Sequence, residues 1–451
     1  MRPTSSICSV HCTGEGIFWS DVSRQQQHPN IQNRVAKTVS NNYIDNHIDE
    51  IRQEFKLLDH WIYLNAADQM IPGNYWLTAV REFYNFVEYG RMEDIPTADI
   101  ATHPFLLAAW DESIERGARF INADKDEVTN TYRPAITANL ILYNMFEWQQ
   151  GENVVITDLS YPSIPYILLD LKRRYGIEIR VVRNVNGEIL MDDLEKMVDG
   201  NTRMVIVDRT TAFCGFTFDM KEVSRIAHAQ GALVLDDAMQ TLGAVEIDVK
   251  DDDVDMLISG AYKWQCGPEG AGIFYIKQSV MDQIDARFRN YIWADIPGMI
   301  PFADHDHDVL ESWKYPPVNN ANRFSQDVTI GPALFGWIAT LKFYEKIGIK
   351  NVEERVNRLG TYTIDRLQDI GCQVTSPTDP KKRHGLITYT TGDYDKDTAF
   401  FQRCAAPGRC MKPIKISMRA LGGIGNLRIS AHFFNTEEDI DYLIELQKSM
   451  L

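Results

Sequence analysis

No apolar run in this chain approaches the length needed to span a membrane. Nor does a continuous apolar stretch precede a small-residue cleavage site near the start, so no signal peptide is expected. Basic charge is also scarce: 46 Lys and Arg stand against 63 Asp and Glu, a formal net charge of −17. That balance argues against non-specific binding to nucleic acid or to an anionic membrane, and it says nothing about fold. Cysteines are few and scattered. Cys8, Cys12, Cys214, Cys266, Cys372, Cys404 and Cys410 show no metal-type spacing. In a chain this large they point to a reduced, cytoplasmic setting and not to a disulfide scaffold. Compositional bias is absent as well, since 44% hydrophobic and 24% charged residues describe an ordinary globular protein. At 451 residues the chain exceeds one ordinary core, and two domains are expected.

What is present is concentrated between Gly231 and Ile276. Ala232-Leu233-Val234-Leu235 is too short for a helix and reads as a buried strand. Asp236 and Asp237 follow at once, where a parallel sheet usually opens into a crevice. Then come Gln240, a turn around Gly243, and a second apolar run, Met256-Leu257-Ile258. That run ends in Ser259-Gly260-Ala261-Tyr262-Lys263-Trp264, followed by Gly267-Pro268-Glu269-Gly270-Ala271-Gly272 and a third strand, Ile273-Phe274-Tyr275-Ile276. A lysine between glycines at a buried strand end has its charged form disfavoured. Its pKa falls, and Lys263 becomes a plausible amine nucleophile.

D-x-x-Q-x-x-G at 237–243, then Lys263-Trp264 before G-P-x-G-x-G, resembles the class V aminotransferases of fold type I. These pyridoxal-phosphate enzymes include cysteine desulfurases, isopenicillin N epimerase and kynureninase. The resemblance implies an α/β fold: a large domain with a mostly parallel seven-stranded sheet, plus a smaller α/β C-terminal domain. Residues 1–40 are polar and without periodicity and read as a disordered extension; beyond them the resemblance gives a segment packing with the small domain (41–65), the large domain (66–329) and the small domain (330–451). It implies pyridoxal 5′-phosphate as cofactor, an amino acid as substrate, and a homodimer with shared active sites.

Residue by residue, the resemblance makes Lys263 the catalytic Schiff-base lysine and general base, and Asp237 the partner that keeps the ring nitrogen protonated. Gln240 would bond the ring hydroxyl, and Tyr161 would stack on the ring where cysteine desulfurases carry His. Ala135, Ile136 and Thr137 would form the phosphate cup at a helix start, with one hydroxyl replaced by Ile136. Thr211, Ser259, Tyr262 and Thr329 complete the cofactor set. Arg428, in Leu427-Arg428-Ile429-Ser430, would bind the substrate carboxylate, with Ala66 and Ala67 leaving room beside it. The usual Asn before a glycine is Ala212 here, and Arg209 is the expected compensation.

Two tempting clusters are read as bland. Cys8 and Cys12 beside His11 lack a second ligand pair, and Asp304-His305-Asp306-His307-Asp308, within a 293–322 insertion, cannot all face one ion. No metal is expected. Cys404 and Cys410 lie upstream of Arg428, where desulfurases place a nucleophilic thiol, but the loop spacing is off and both read as bystanders.

The expected reaction breaks a Cα bond of an amino acid. Elimination, C–S bond cleavage or ring formation in a specialised pathway is the leading reading. Epimerisation, transamination and cysteine desulfuration are the alternatives. A non-catalytic scaffold is the reading from another class, and the retained Lys263, Asp237, Gln240 and Arg428 oppose it.

Overall fold

The computed structural model describes residues 43–89, 104–284, 316–325, 331–406 and 412–451. The 1–40 extension with Cys8 and Cys12, the Asp304–Asp308 cluster, Thr329 and Cys410 lie outside the described residues.

Among the described residues a seven-stranded sheet runs in the order Val128–Asn130, Gly272–Ile276, Met256–Gly260, Leu233–Asp237, Thr202–Asp208, Asn153–Thr157, Glu178–Val182. The last five are parallel, while Gly272–Ile276 pairs antiparallel on both of its sides. Period-two alternation splits the strands between two cores. Val155, Val205, Val207, Val234 and Leu257 pack into one face. Val154, Ile156, Met204, Ile206, Leu235 and Ile258 pack into the other. A sheet covered on both faces needs continuous apolar strands, and that is how these segments read.

Helices Ser163–Tyr175, Met191–Met197 and Met220–His228 connect the parallel strands. Met220–His228 starts where Asp219 accepts from the backbone N–H of Glu222 at 3.3 Å, and it buries Val223, Ile226 and Ala227. From Asn153–Thr157 the chain moves outward to Glu178–Val182. It then returns to lay Thr202–Asp208 on the other side. Ligands of open α/β sheets bind at the strand ends where the order reverses in this way. Tyr161, just past one of these strands, and Asp208, at the end of the other, both sit at that reversal.

A second, four-stranded antiparallel sheet is built by Ser417–Leu421, Ile424–Ser430, Leu386–Thr390 and Gln373–Val374, in that order. Ile387, Tyr389, Leu427 and Ile429 bury one of its faces under helices Ile349–Asp369 and Glu437–Lys448. Thr436 caps the last helix in a reciprocal box with Asp439, as Asn435-Thr436-Glu437-Glu438 predicts. The N-terminal segment forms a separate two-stranded sheet, Ile62–Tyr63 parallel to Ile414–Lys415, and an isolated bridge ties Asn65 to Ser430 of the four-stranded sheet.

The acidic amphipathic pattern over 44–55 predicts one helix, and the structure divides it into Tyr43–Asn46 and Ile48–Gln53. The break is at His47, whose φ of −123° and ψ of 19° leave the helical region. Asp45, just before it, is drawn to Arg355 and Arg358. That tertiary pull is stronger than the weak propensity of so short a helix.

Candidate active site

At the reversal point a cavity is lined by Arg133, Pro134, Ala135, Tyr161, Asp208, Ala212, Asp237, Met239, Gln240, Tyr262 and Lys263, among others. Lys263 sits in the turn that follows strand Met256–Gly260 and is 8% exposed. Burial, helped by the nearby Arg428, pulls its ammonium down to about 8, against the opposing pull of Asp237, Asp68 and Asp208. Its Nζ lies 5.4 Å from the centre of the Tyr161 ring. Asp237 ends strand Leu233–Asp237 and accepts from the N–H of Met239 at 3.0 Å. Burial raises its carboxyl to about 6.

Gln240 is locked from both ends of its amide. The Trp264 indole donates to its Oε1 at 2.8 Å, and its Nε2 donates to the Ala67 carbonyl at 3.0 Å. An indole can only donate, so the amide orientation is determined and Nε2 is the donor end. Ala67 in turn donates its N–H to Ser430 Oγ at 3.0 Å. Gly243 explains the last position of D-x-x-Q-x-x-G. Its φ is +100°, and a Cβ there would lie 2.4 Å from the Trp264 carbonyl oxygen.

Arg428 is 2% exposed and anchored on two sides. Nε donates to Ser417 Oγ at 2.9 Å and Nη1 to the Ala212 carbonyl at 2.8 Å, leaving Nη2 buried without a hydrogen-bond partner. So the residue standing in place of the usual Asn acts through its backbone. Burial, then Arg419, lower the Arg428 guanidinium to about 10.

Several expected residues are placed elsewhere. Arg209 does not reach the cavity. It bridges Asp236 at 2.5 Å and Asp252 at 2.7 Å, because an arginine buried beside two carboxylates is consumed by them. Thr211 turns its hydroxyl to Cys214 at 3.1 Å, and its neighbour Thr210 lines the cavity instead. Ser259 Oγ accepts from Gln265 at 2.8 Å and is not part of the lining. Ile136 points outward, 46% exposed, and the Thr137 hydroxyl is bonded to Thr131. Ala66 and Ala67 are buried by pairing with Ser430 and do not line the cavity. Of the expected cup, Ala135 remains, with Tyr262 opposite.

Sequence reasoning missed two groups. Arg133 precedes helix Pro134–Asn144 and lines the cavity, its guanidinium 5.1 Å above the Tyr262 ring and paired with Glu269 at 2.5 Å. Asp208 is the other. It pairs in register with Asp237, takes the Tyr161 N–H on Oδ2 at 2.7 Å, and has Oδ1 buried without a partner. Only the strand-end position of Asp208 in the sequence could have signalled it.

A matching family model settles the lineage: aminotransferase class-V covers residues 106–295 and 329–443. The chain belongs to the class V aminotransferase family. This class V enzyme is 26% identical over 415 residues to a probable cysteine desulfurase of Methanothermobacter thermautotrophicus, covering 88% of the chain and 96% of that protein. It is 26% identical over 412 residues to a probable cysteine desulfurase of Halalkalibacterium halodurans, covering 87% and 95%. Among solved structures it resembles a cystine C–S lyase in complex with its product cysteine persulfide, with TM-score 0.75, 18% identity, and 87% and 98% coverage. An apo cysteine desulfurase from Thermococcus onnurineus is similar at TM-score 0.74 and 20% identity, with 89% and 97% coverage.

Class V aminotransferases depend on pyridoxal phosphate, and the residues present fit that group. A buried lysine with a lowered pKa shares one cavity with a strand-end carboxylate and an aromatic ring. Arg133, paired with Glu269, stands at the start of helix Pro134–Asn144, where the resemblance expects the phosphate to be held.

Asp208 yields a prediction. Burial first, and Asp237 next, push its carboxyl well above the usual range. A group whose folded pKa is raised confers stability that is present below its unfolded value and is lost as pH rises through the folded one. Asn keeps an acceptor for the Tyr161 N–H and has no charge to bury. Asp208→Asn is therefore expected to melt a few degrees above the parent at pH 8, with the gap closing toward pH 4, as read by thermal melts across that range. A variant less stable than the parent at pH 8 would mean that Asp208 is needed ionised.

Proposed function

We propose that this class V enzyme breaks the Cβ–S bond of L-cysteine or a close derivative, as cysteine desulfurases do. The observation behind the reading is the single cavity that joins Lys263, Asp237 and Tyr161, with Arg428 close enough to depress the lysine. The near full-length similarity to cysteine desulfurases supports the choice of substrate.

When bound, pyridoxal phosphate draws electrons from the Cα of an attached amino acid and makes a bond there easy to break. The side chains of the chain do the rest. Lys263, neutral in part near pH 8, holds the cofactor and then moves the proton at Cα. Asp237 would keep the proton on the ring nitrogen, and Tyr161 would cover one ring face. Gln240, fixed by Trp264, presents Nε2 as a donor. Arg428 orients the substrate carboxylate through Nη2, with its other nitrogens already anchored. A homodimer and a cytoplasmic setting belong to the same proposal. The free Cys214, Cys266, Cys372 and Cys404 suit a reducing compartment.

A second reading is elimination without an enzyme thiol, and one observation favours it. The four described cysteines are all buried, and burial pushes the Cys404 thiol up to about 12 and the Cys372 thiol up to about 11. Thiols held that high do not attack as thiolates near neutral pH. Transfer to a thiol leaves alanine, whereas elimination leaves pyruvate and ammonia. Product analysis with L-cysteine and L-cystine, for the parent and for Cys410→Ser, separates the two. Alanine that disappears in Cys410→Ser supports transfer, and pyruvate that persists supports elimination. Release of no sulfur from either substrate would sink the proposal. On both routes Cys404→Ser is expected to keep turnover within about threefold, and a loss above tenfold, about 1.4 kcal/mol, would contradict this.

A further inference from the structure

Two guanidiniums flank a single carboxylate beside the active site. Arg428 and Arg419 come from paired strands, Ile424–Ser430 and Ser417–Leu421, in a register that sets Ser417 against Arg428. Asp68 reaches them from the segment that follows strand Ile62–Tyr63. Its Oδ1 accepts from Arg419 Nη2 at 2.8 Å and lies 3.9 Å from Arg428 Nη2, while Oδ2 faces Asn65 Nδ2 at 3.4 Å. The cluster adjoins the cavity through Arg428, whose Nη1 donates to the carbonyl of the cavity-lining Ala212 at 2.8 Å. Asp68 is 41% exposed on its side chain, so a ligand can reach it.

We propose that Asp68 sets the charge balance of the substrate pocket, so that it accepts an amino acid with one carboxylate and disfavours one with two. The proposal rests on Arg428 being the carboxylate seat. Two cations and one fixed anion leave a surplus of one positive charge, which a single substrate carboxylate neutralises. That carboxylate would meet the buried Nη2 of Arg428, the nitrogen without a hydrogen bond. Arg419 cannot take a second one, because Asp68 already holds it in an ion pair. A dicarboxylate would bring its second charge against Asp68, and repulsion between like charges at this range is strong wherever water is partly excluded. Without the Asp68 charge, Arg419 becomes a second seat on the same face of the sheet. A planar, fork-shaped donor of this kind suits a carboxylate.

The test uses propionate and succinate as probes, since neither carries an amine that can react. Binding of each to the holoenzyme is measured by calorimetry in the parent, Asp68→Asn, Asp68→Ser, Arg428→Gln and the double variant Asp68→Asn/Arg419→Gln. Expected is a gain of at least tenfold in succinate over propionate affinity in both single Asp68 variants, erased in the double variant. Propionate binding should fall at least tenfold in Arg428→Gln. An unchanged succinate-to-propionate ratio in both Asp68 variants, with propionate still lost in Arg428→Gln, overturns the role of Asp68 alone. Propionate binding indifferent to Arg428→Gln overturns the seat itself, and this inference with it.

Discussion

Lys263→Ala is expected to carry no cofactor label after borohydride treatment with pyridoxal phosphate, and to lose turnover by about a thousandfold or more. In the parent, peptide mapping should place the label on Lys263. The structure makes this lysine reactive by removing it from water: it is 8% exposed, and burial and Arg428 lower it to about 8. Two acids, Asp237 and Asp208, share its cavity and keep the fall from going further. The sign of the pH dependence follows. Below about pH 8 the amine is mostly protonated, and capture of the cofactor by free Lys263 should accelerate as pH rises through that value. A Lys263→Ala protein that still formed a borohydride-reducible link in the same cavity would remove the basis of the assignment.

Arg428→Lys should retain cofactor binding and lose its grip on substrate. Lysine keeps the charge but not the fork, and it cannot serve Ser417 Oγ, the Ala212 carbonyl and a substrate carboxylate together. A charge-assisted hydrogen bond contributes on the order of 1.5–3 kcal/mol, so KM is expected to rise roughly ten- to hundredfold. Loosened orientation should also degrade reaction specificity, because the carboxylate decides which Cα bond stands perpendicular to the ring. Arg209→Lys is the informative comparison. Arg209 is consumed by Asp236 and Asp252 inside the protein, so its variant should lose several degrees in melting temperature and leave KM close to the parent. Steady-state kinetics and melts of both variants decide the matter. A near-normal Arg428→Lys with a raised KM in Arg209→Lys would reassign the carboxylate grip.

The contrast between these two arginines shows where reading residues in order stops being enough. Arg209 follows the end of strand Thr202–Asp208 and Arg428 lies within strand Ile424–Ser430, and the sequence offers no way to tell which is spoken for. Arg209 is spent because Asp236, one strand over, and Asp252, on a loop 43 residues away, converge on it. Arg428 keeps Nη2 without a hydrogen bond because its anchors are Ser417 Oγ and a backbone carbonyl, and its one carboxylate neighbour, Asp68, stays 3.9 Å away. Thr210 and Thr211 differ in the same way. Adjacent residues differ in surroundings: the Thr211 hydroxyl meets Cys214, whereas Thr210 lines the cavity with its hydroxyl bonded to Thr217 and Thr241.

Local pattern in the chain placed the strands that lead to Asp237 and Lys263, and the family resemblance implied the mostly parallel sheet they join. Short β-branched runs between helix-period segments have one economical way to bury themselves, and turns such as Gly243 admit only glycine. Tertiary structure alone decided what each polar side chain meets. Asp208 became a second buried carboxyl only when its strand was laid beside Leu233–Asp237, and Asp68 reached Arg419 and Arg428 across more than 350 residues of chain. Burial and charge depend on neighbours brought together through space, and local periodicity carries no record of them.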